Sequence, residues 1–119
     1  MKQPIPKVTE SDVRRIALRD FGETGLSAAL SVLDSAPGED SPRVRLAILK
    51  LASGDIERLE EQVAIAARDF RDVLTFAEYP RWSNEIGFDK VPRAPEREVI
   101  DSDWLQYCQW LGRECKRYY

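Results

Sequence analysis

The chain contains no histidine. That removes the commonest general base and the commonest zinc ligand. Ser-His-Asp and Cys-His catalysis go with it, as do the Glu-x-x-His ligand pairs of a di-iron carboxylate bundle. Cysteine is nearly as scarce. Cys108 and Cys115 are the two present, and without histidine they make no zinc site. They lie seven residues apart on an expected helix. That is about 10.5 Å of rise, against the roughly 7 Å between Cα atoms that a disulfide tolerates. Both read as small packed hydrophobes. The six glycines are scattered, so there is no phosphate-cradling loop. No apolar run approaches the roughly 20 residues that span a bilayer. The start, Met1 to Lys7, lacks the apolar stretch of a secretory signal. With 18 basic and 21 acidic residues the net charge is −3, without the basic excess of a nucleic-acid binder. These absences lead to the expectation of a cytoplasmic protein with no membrane, nucleic-acid, metal or cofactor partner and no assignable catalytic residue.

What is present is helix. A chain of 119 residues with 43% apolar and 33% charged content suits one domain with its own core. Residues 1–8 have little reason to be ordered. Thr9 then caps a first helix with Glu10 and Asp12 in its opening turn, and Val13, Ile16, Ala17 and Phe21 recur at helical spacing until Gly22 stops it. Residues 26–34 form a short second helix, and 35–40 a loop. Ser41-Pro42 opens a third helix, to about residue 53, with apolar residues nearly all round it, the pattern of a central buried element. Gly54-Asp55 combines a C-cap with the next N-cap, so the third and fourth helices pack as an antiparallel hairpin.

The fourth helix, about 56–79, has a seam of Ile56, Val63, Phe70 and Ala77 interleaved with Leu59, Ala66 and Val73. Pro80 ends it. Residues 80–100 read as an extended, irregular segment pinned across the bundle by Trp82, Ile86, Phe88, Val91 and Val99. A last helix over about 103–117 carries a stripe of Trp104, Leu105, Cys108, Leu111 and Cys115. The fold class is therefore all-α, an irregular four- to five-helix bundle around a central antiparallel hairpin at about 42–79.

Two stretches of this hairpin form a distinctive pattern. One is Leu46-Ala47-Ile48-Leu49-Lys50-Leu51-Ala52-Ser53-Gly54. The other is Arg71-Asp72-Val73-Leu74, followed by Ala77-Glu78-Tyr79-Pro80. They resemble a group of small uncharacterised bacterial helical proteins that share a LAILKLA-x-G helix and a long helix ending RDVL…AEYP. The resemblance implies a bacterial, cytoplasmic helical hairpin and carries over no activity.

The carboxylates Glu57, Glu60, Glu61, Asp69, Asp72 and Glu78 alternate with arginines and read as a solvated helix face. Two of them meeting Asp101 or Asp103 in a cleft are the acid–base alternative. Arg68 and Asp72 are four apart and able to pair. Arg71 is a candidate for binding a carboxylate or phosphate through its planar fork. Ile65 and Phe76 lie off the main seam, and Tyr79, Arg81 and Trp82 are residue types enriched at interaction hot spots. Ile65, Arg71, Phe76, Tyr79, Arg81 and Trp82 are therefore the candidate interaction surface. The expected function is a non-enzymatic protein-interaction or regulatory module whose partner is another protein or a second copy. The alternative is a small-ligand-binding protein or small enzyme working through carboxylates and arginines.

Overall fold

The computed structural model describes residues 3–36, 41–87, 95–115 and 117–118. Among them the chain is an all-α bundle of five helices. These are α1 (Glu10–Leu33), α2 (Ser41–Ala52), α3 (Ile56–Glu78), α4 (Pro80–Glu85) and α5 (Glu96–Leu111). A two-residue strand at each end of the chain, β1 (Ile5–Pro6) and β2 (Arg117–Tyr118), completes it, and the two pair antiparallel.

The central hairpin is α2 against α3. Val44, Leu46, Ala47, Ile48, Leu49 and Ala52 of α2 are fully buried, as a helix apolar nearly all round must be. Leu59, Val63, Ala66, Val73, Leu74 and Ala77 of α3 meet them. The turn works as its residues dictate. Gly54 has φ 78°, and a Cβ there would lie 3.0 Å from the Asp20 carbonyl oxygen of α1, so glycine is needed for both backbone and space. Asp55 accepts from the Glu57 and Arg58 amides at 2.9 and 3.2 Å, the capping expected of it. At the far end of the hairpin Arg43 of α2 grips Glu78 of α3 bidentately, at 2.9 and 2.7 Å.

Two helices are bent where their backbones leave the helical region. The first expected helix and the short second one follow one another directly as α1, folded at Gly22 with φ 71° and ψ 177°. Gly22 thus ends the first run as expected, and the second begins at once. In α3 the bend falls at Asp69, with φ −158° and ψ 101°, inside what the heptad pattern presents as one uninterrupted helix. Asp69 caps the second arm, accepting from the Arg71 amide at 3.1 Å. An aspartate competes with the helix for its own backbone donors, which is the local reason for the break.

The C-terminal third departs most from expectation. The segment after Pro80 is not extended at its start. Tyr79 alone separates α3 from α4, with Pro80 at the first helical position, where its missing N–H costs nothing. Phe88 and Val91, expected to pin that segment, lie outside the described residues. The last helix begins at Glu96 and ends at Leu111, where Gly112 takes the left-handed cap at φ 81°. Its buried residues are Val99, Ile100, Asp103, Tyr107 and Leu111, so Leu105 is turned out, 59% exposed, and Trp104 and Cys108 are half-buried. Cys115 is off the helix altogether, its thiol donating to the Lys7 carbonyl at 3.2 Å.

Of the N-terminal residues expected to be loose, Pro4 and Lys7 are held by contacts from the rest of the chain. Tyr79 donates its hydroxyl to the Pro4 carbonyl at 2.8 Å, and Arg113 reaches the Lys7 carbonyl at 3.3 Å. Arg113 also clasps Asp12 at 2.9 and 2.6 Å, while Asp12 accepts from the Thr9 amide at 3.0 Å. The Arg113 hydrogen bonds, with help from Thr9 and Arg15, hold the Asp12 carboxyl well below its ordinary value despite its burial. A depressed carboxyl stabilises the fold above its unfolded-state value and loses that contribution as pH falls through its folded value. Asp12→Asn is therefore expected to lower the urea midpoint at pH 7, and the gap to wild type should narrow below roughly pH 4. A gap constant across that range would show that Asp12 contributes through packing and not charge.

Candidate interaction surface

Each arm of α3 presents an outer row. Ala64 and Arg68 lie exposed before the break at Asp69, Asp72 and Phe76 after it. Phe76 is 55% exposed, and Ile56 at the start of α3, expected in its seam, is 38% exposed. Val73, Leu74, Ala77 and Glu78 are the buried positions of this arm, and Leu74 and Glu78 turn its buried side away from position 76.

The polar groups of the row are arranged by the break. Arg71 does not offer a free fork to an outside anion. Its guanidinium pairs with Asp69 at 2.9 and 3.0 Å, which holds the exposed Asp69 carboxyl below its ordinary value. The expected pairing of Arg68 with Asp72 is not made. Among the described residues neither forms an ion pair or hydrogen bond, although Asp72 lies close enough to Arg71 to favour its charge. The extended backbone at Asp69 falls between Arg68 and Asp72 and undoes the helical spacing on which such a pair depends. A hollow of about 450 Å³ opens at the break, lined by Ala66, Ala67, Arg68, Asp69, Phe70 and Arg71.

The six candidate residues are dispersed by the structure. Phe76 and Arg71 stand on the outer face. Ile65 is half-buried against the core. Tyr79 is a correction: it is 8% exposed, and its hydroxyl is spent on Pro4, so it offers no surface to a partner. Its phenol is pushed up by burial, with the neighbouring Glu78 charge adding to the effect. Arg81 is half-buried and pairs with Glu85. Trp82 is half-buried, its indole N–H directed to Glu96 at 3.4 Å. Both belong to α4, which is anchored from below. The Asp103 carboxylate of α5, 1% exposed, accepts from the Arg81 and Trp82 amides, each at 2.9 Å. Burial pushes the Asp103 carboxyl up in spite of those two bonds.

The carboxylates considered for acid–base work are placed apart. Glu57, Glu60 and Glu61 are exposed on the first arm of α3, Asp69 caps the second, Glu78 is buried against Arg43, and Asp103 secures α4. Among the described residues, no three metal-ligating side chains cluster to hold an ion, and no helix is long and apolar enough to cross a membrane.

The chain matches no family model, no characterised protein and no solved structure. The features missing from the sequence reading were the break at Asp69 and the row it creates. An aspartate followed two residues later by arginine inside an apolar periodicity was the one local signal of it.

Proposed function

We propose that this protein is a non-enzymatic interaction module that binds protein through the outer row of α3. The observation that carries the reading is the exposure of Phe76 on the second arm of α3, one turn after the exposed Asp72, which has no ion-pair partner among the described residues. Aromatic groups at the centre of an interface supply most of its energy, while flanking charges set register and partner choice. The buried polar side chains support the reading from the other side. Asp12, Glu78 and Asp103 are each engaged in tying one element to another. A bacterial cytoplasmic setting is part of the proposal. It rests on the resemblance of the hairpin sequence and on the scarcity of cysteine, two in the chain, which suits a reducing compartment.

The test is positional photocrosslinking in cells. A photoreactive phenylalanine analogue replaces Phe76, and a second version of the protein carries it at Glu61, on the charged face of the first arm. The expected result is one or more discrete protein adducts from position 76 that position 61 does not give. Equal yields from the two positions, or none, would remove the surface.

A further inference from the structure

We propose a second binding site: the strap at residues 4–7 fills a groove that also takes an extended, proline-containing segment of a partner protein, and the two compete for it. The strap is held as a bound peptide is held, by hydrogen bonds to its backbone. The Pro4 carbonyl accepts from the Tyr79 hydroxyl at 2.8 Å. The Lys7 carbonyl accepts from Arg113 at 3.3 Å and from the Cys115 thiol at 3.2 Å. Between these ends Ile5 and Pro6 pair antiparallel with Tyr118 and Arg117. Pro4 and Pro6 are buried, Ile5 is half-buried and Lys7 exposed, so alternate side chains enter the groove. Bonds to the main chain for affinity, with pockets for alternate side chains for specificity, are the two parts of recognition by strand addition. Proline suits such pockets because its fixed φ leaves less freedom to lose on binding.

Two observations mark the strap as replaceable. It is lightly held, since β1 is two residues long and neither Pro4 nor Pro6 has an N–H to donate. A segment with so few bonds opens at low free-energy cost. The groove also holds more polar capacity than the strap uses. Tyr107 of α5 is 1% exposed, and its hydroxyl has no hydrogen-bond partner. The charged and polar groups that act on it are Glu78, Cys115, Arg43 and Asp12. These belong to the ring that carries the strap. Glu78 precedes Tyr79, Cys115 binds Lys7, and Asp12 holds Arg113. A buried hydroxyl left without a partner is costly. A segment with an acceptor facing Tyr107 therefore gains a bond that the strap does not make. Tyr79 is closed to a partner while the strap is seated and becomes a free donor when it leaves. This groove is separate from the outer row of α3 and does not depend on it.

The experiment is an NMR titration of the full chain with a capped peptide of residues 3–8, Gln-Pro-Ile-Pro-Lys-Val. A variant carrying Pro4→Glu and Pro6→Glu puts carboxylates where the prolines are buried and so frees the groove. The peptide should shift the Tyr79 and Tyr107 ring signals of this variant saturably, with a dissociation constant below about 1 mM. The wild type should bind it about tenfold more weakly, because its own strap competes. Tyr79→Phe in the variant should weaken the peptide again, and a peptide with glutamate at both proline positions should not bind. A cooperative thermal melt shows that the variant folds. If it does not fold, the wild-type titration decides: the Ile5 amide signal should move progressively as the strap is displaced. No saturable shift in either protein overturns the site, as does equal binding of the glutamate peptide. Association of the wild type with itself that the strap substitutions abolish would make a second copy's strap the occupant and overturn the partner segment.

Discussion

Leu49→Asp is expected to leave the chain unfolded at room temperature, whereas Leu51→Asp on the same helix should still fold. Leu49 is fully buried at the centre of α2, facing the seam of α3. A carboxylate there loses its hydration among the apolar side chains of the core. An uncompensated buried charge costs about 3–5 kcal/mol, to which the lost leucine packing adds roughly 2–5 kcal/mol. The whole stability of a domain this size is about 5–15 kcal/mol. Leu51 is only half-buried, so an aspartate there keeps part of its hydration by turning toward solvent. Far-UV circular dichroism with a urea titration separates the two variants. A cooperative, unshifted transition for Leu49→Asp would contradict the central position of α2.

Glu78→Ala should destabilise the fold by about 3–5 kcal/mol. The Glu78 carboxylate is 2% exposed and the Arg43 side chain 14%, so the substitution strips a mostly buried guanidinium of its bidentate partner. The pair closes the open end of the α2–α3 hairpin, opposite the Gly54-Asp55 turn. Replacing both residues together, Arg43→Met with Glu78→Leu, should recover most of the loss. The attraction within a buried pair does little more than offset the cost of burying it, and an apolar pair of similar volume avoids that cost. A double-mutant cycle from urea midpoints provides the measure. If the double variant were as unstable as the sum of the singles, the pair would be acting through separate partners and not through each other.

The helical character, the hairpin and its turn were all legible as local chemistry. Apolar residues at helical spacing can bury one face only as helices. Gly54 and Asp55 supply the two caps that a two-residue connection requires, whatever surrounds them. Gly22 marks a helix end for the same reason, a backbone conformation that glycine adopts without strain, whereas Gly112 ends α5 inside what the sequence reads as one helix to about 117. Where the tertiary structure decided, the deciding group was distant in sequence. α4 forms because Asp103 reaches its first amides from α5, a contact that no window around Pro80 contains. The buried face of α5 is chosen by the elements beneath it, which is why Tyr107 turns inward and Leu105 outward although both are apolar enough for either place. The described parts of the two chain ends are tied by Arg113 and Asp12, about a hundred residues apart. The candidate surface lies between the two cases. Arg68, Asp69, Arg71 and Asp72 were conspicuous as a cluster, but a helical reading pairs Arg68 with Asp72. The extended backbone at Asp69 pairs Asp69 with Arg71 instead and leaves Arg68 and Asp72 without an ion pair among the described residues. Sequence by itself determined which segments could be helices and where most must stop, because caps and periodicity act within a few residues. Only the folded chain decided which faces remained exposed, because burial depends on neighbours that the sequence does not place side by side.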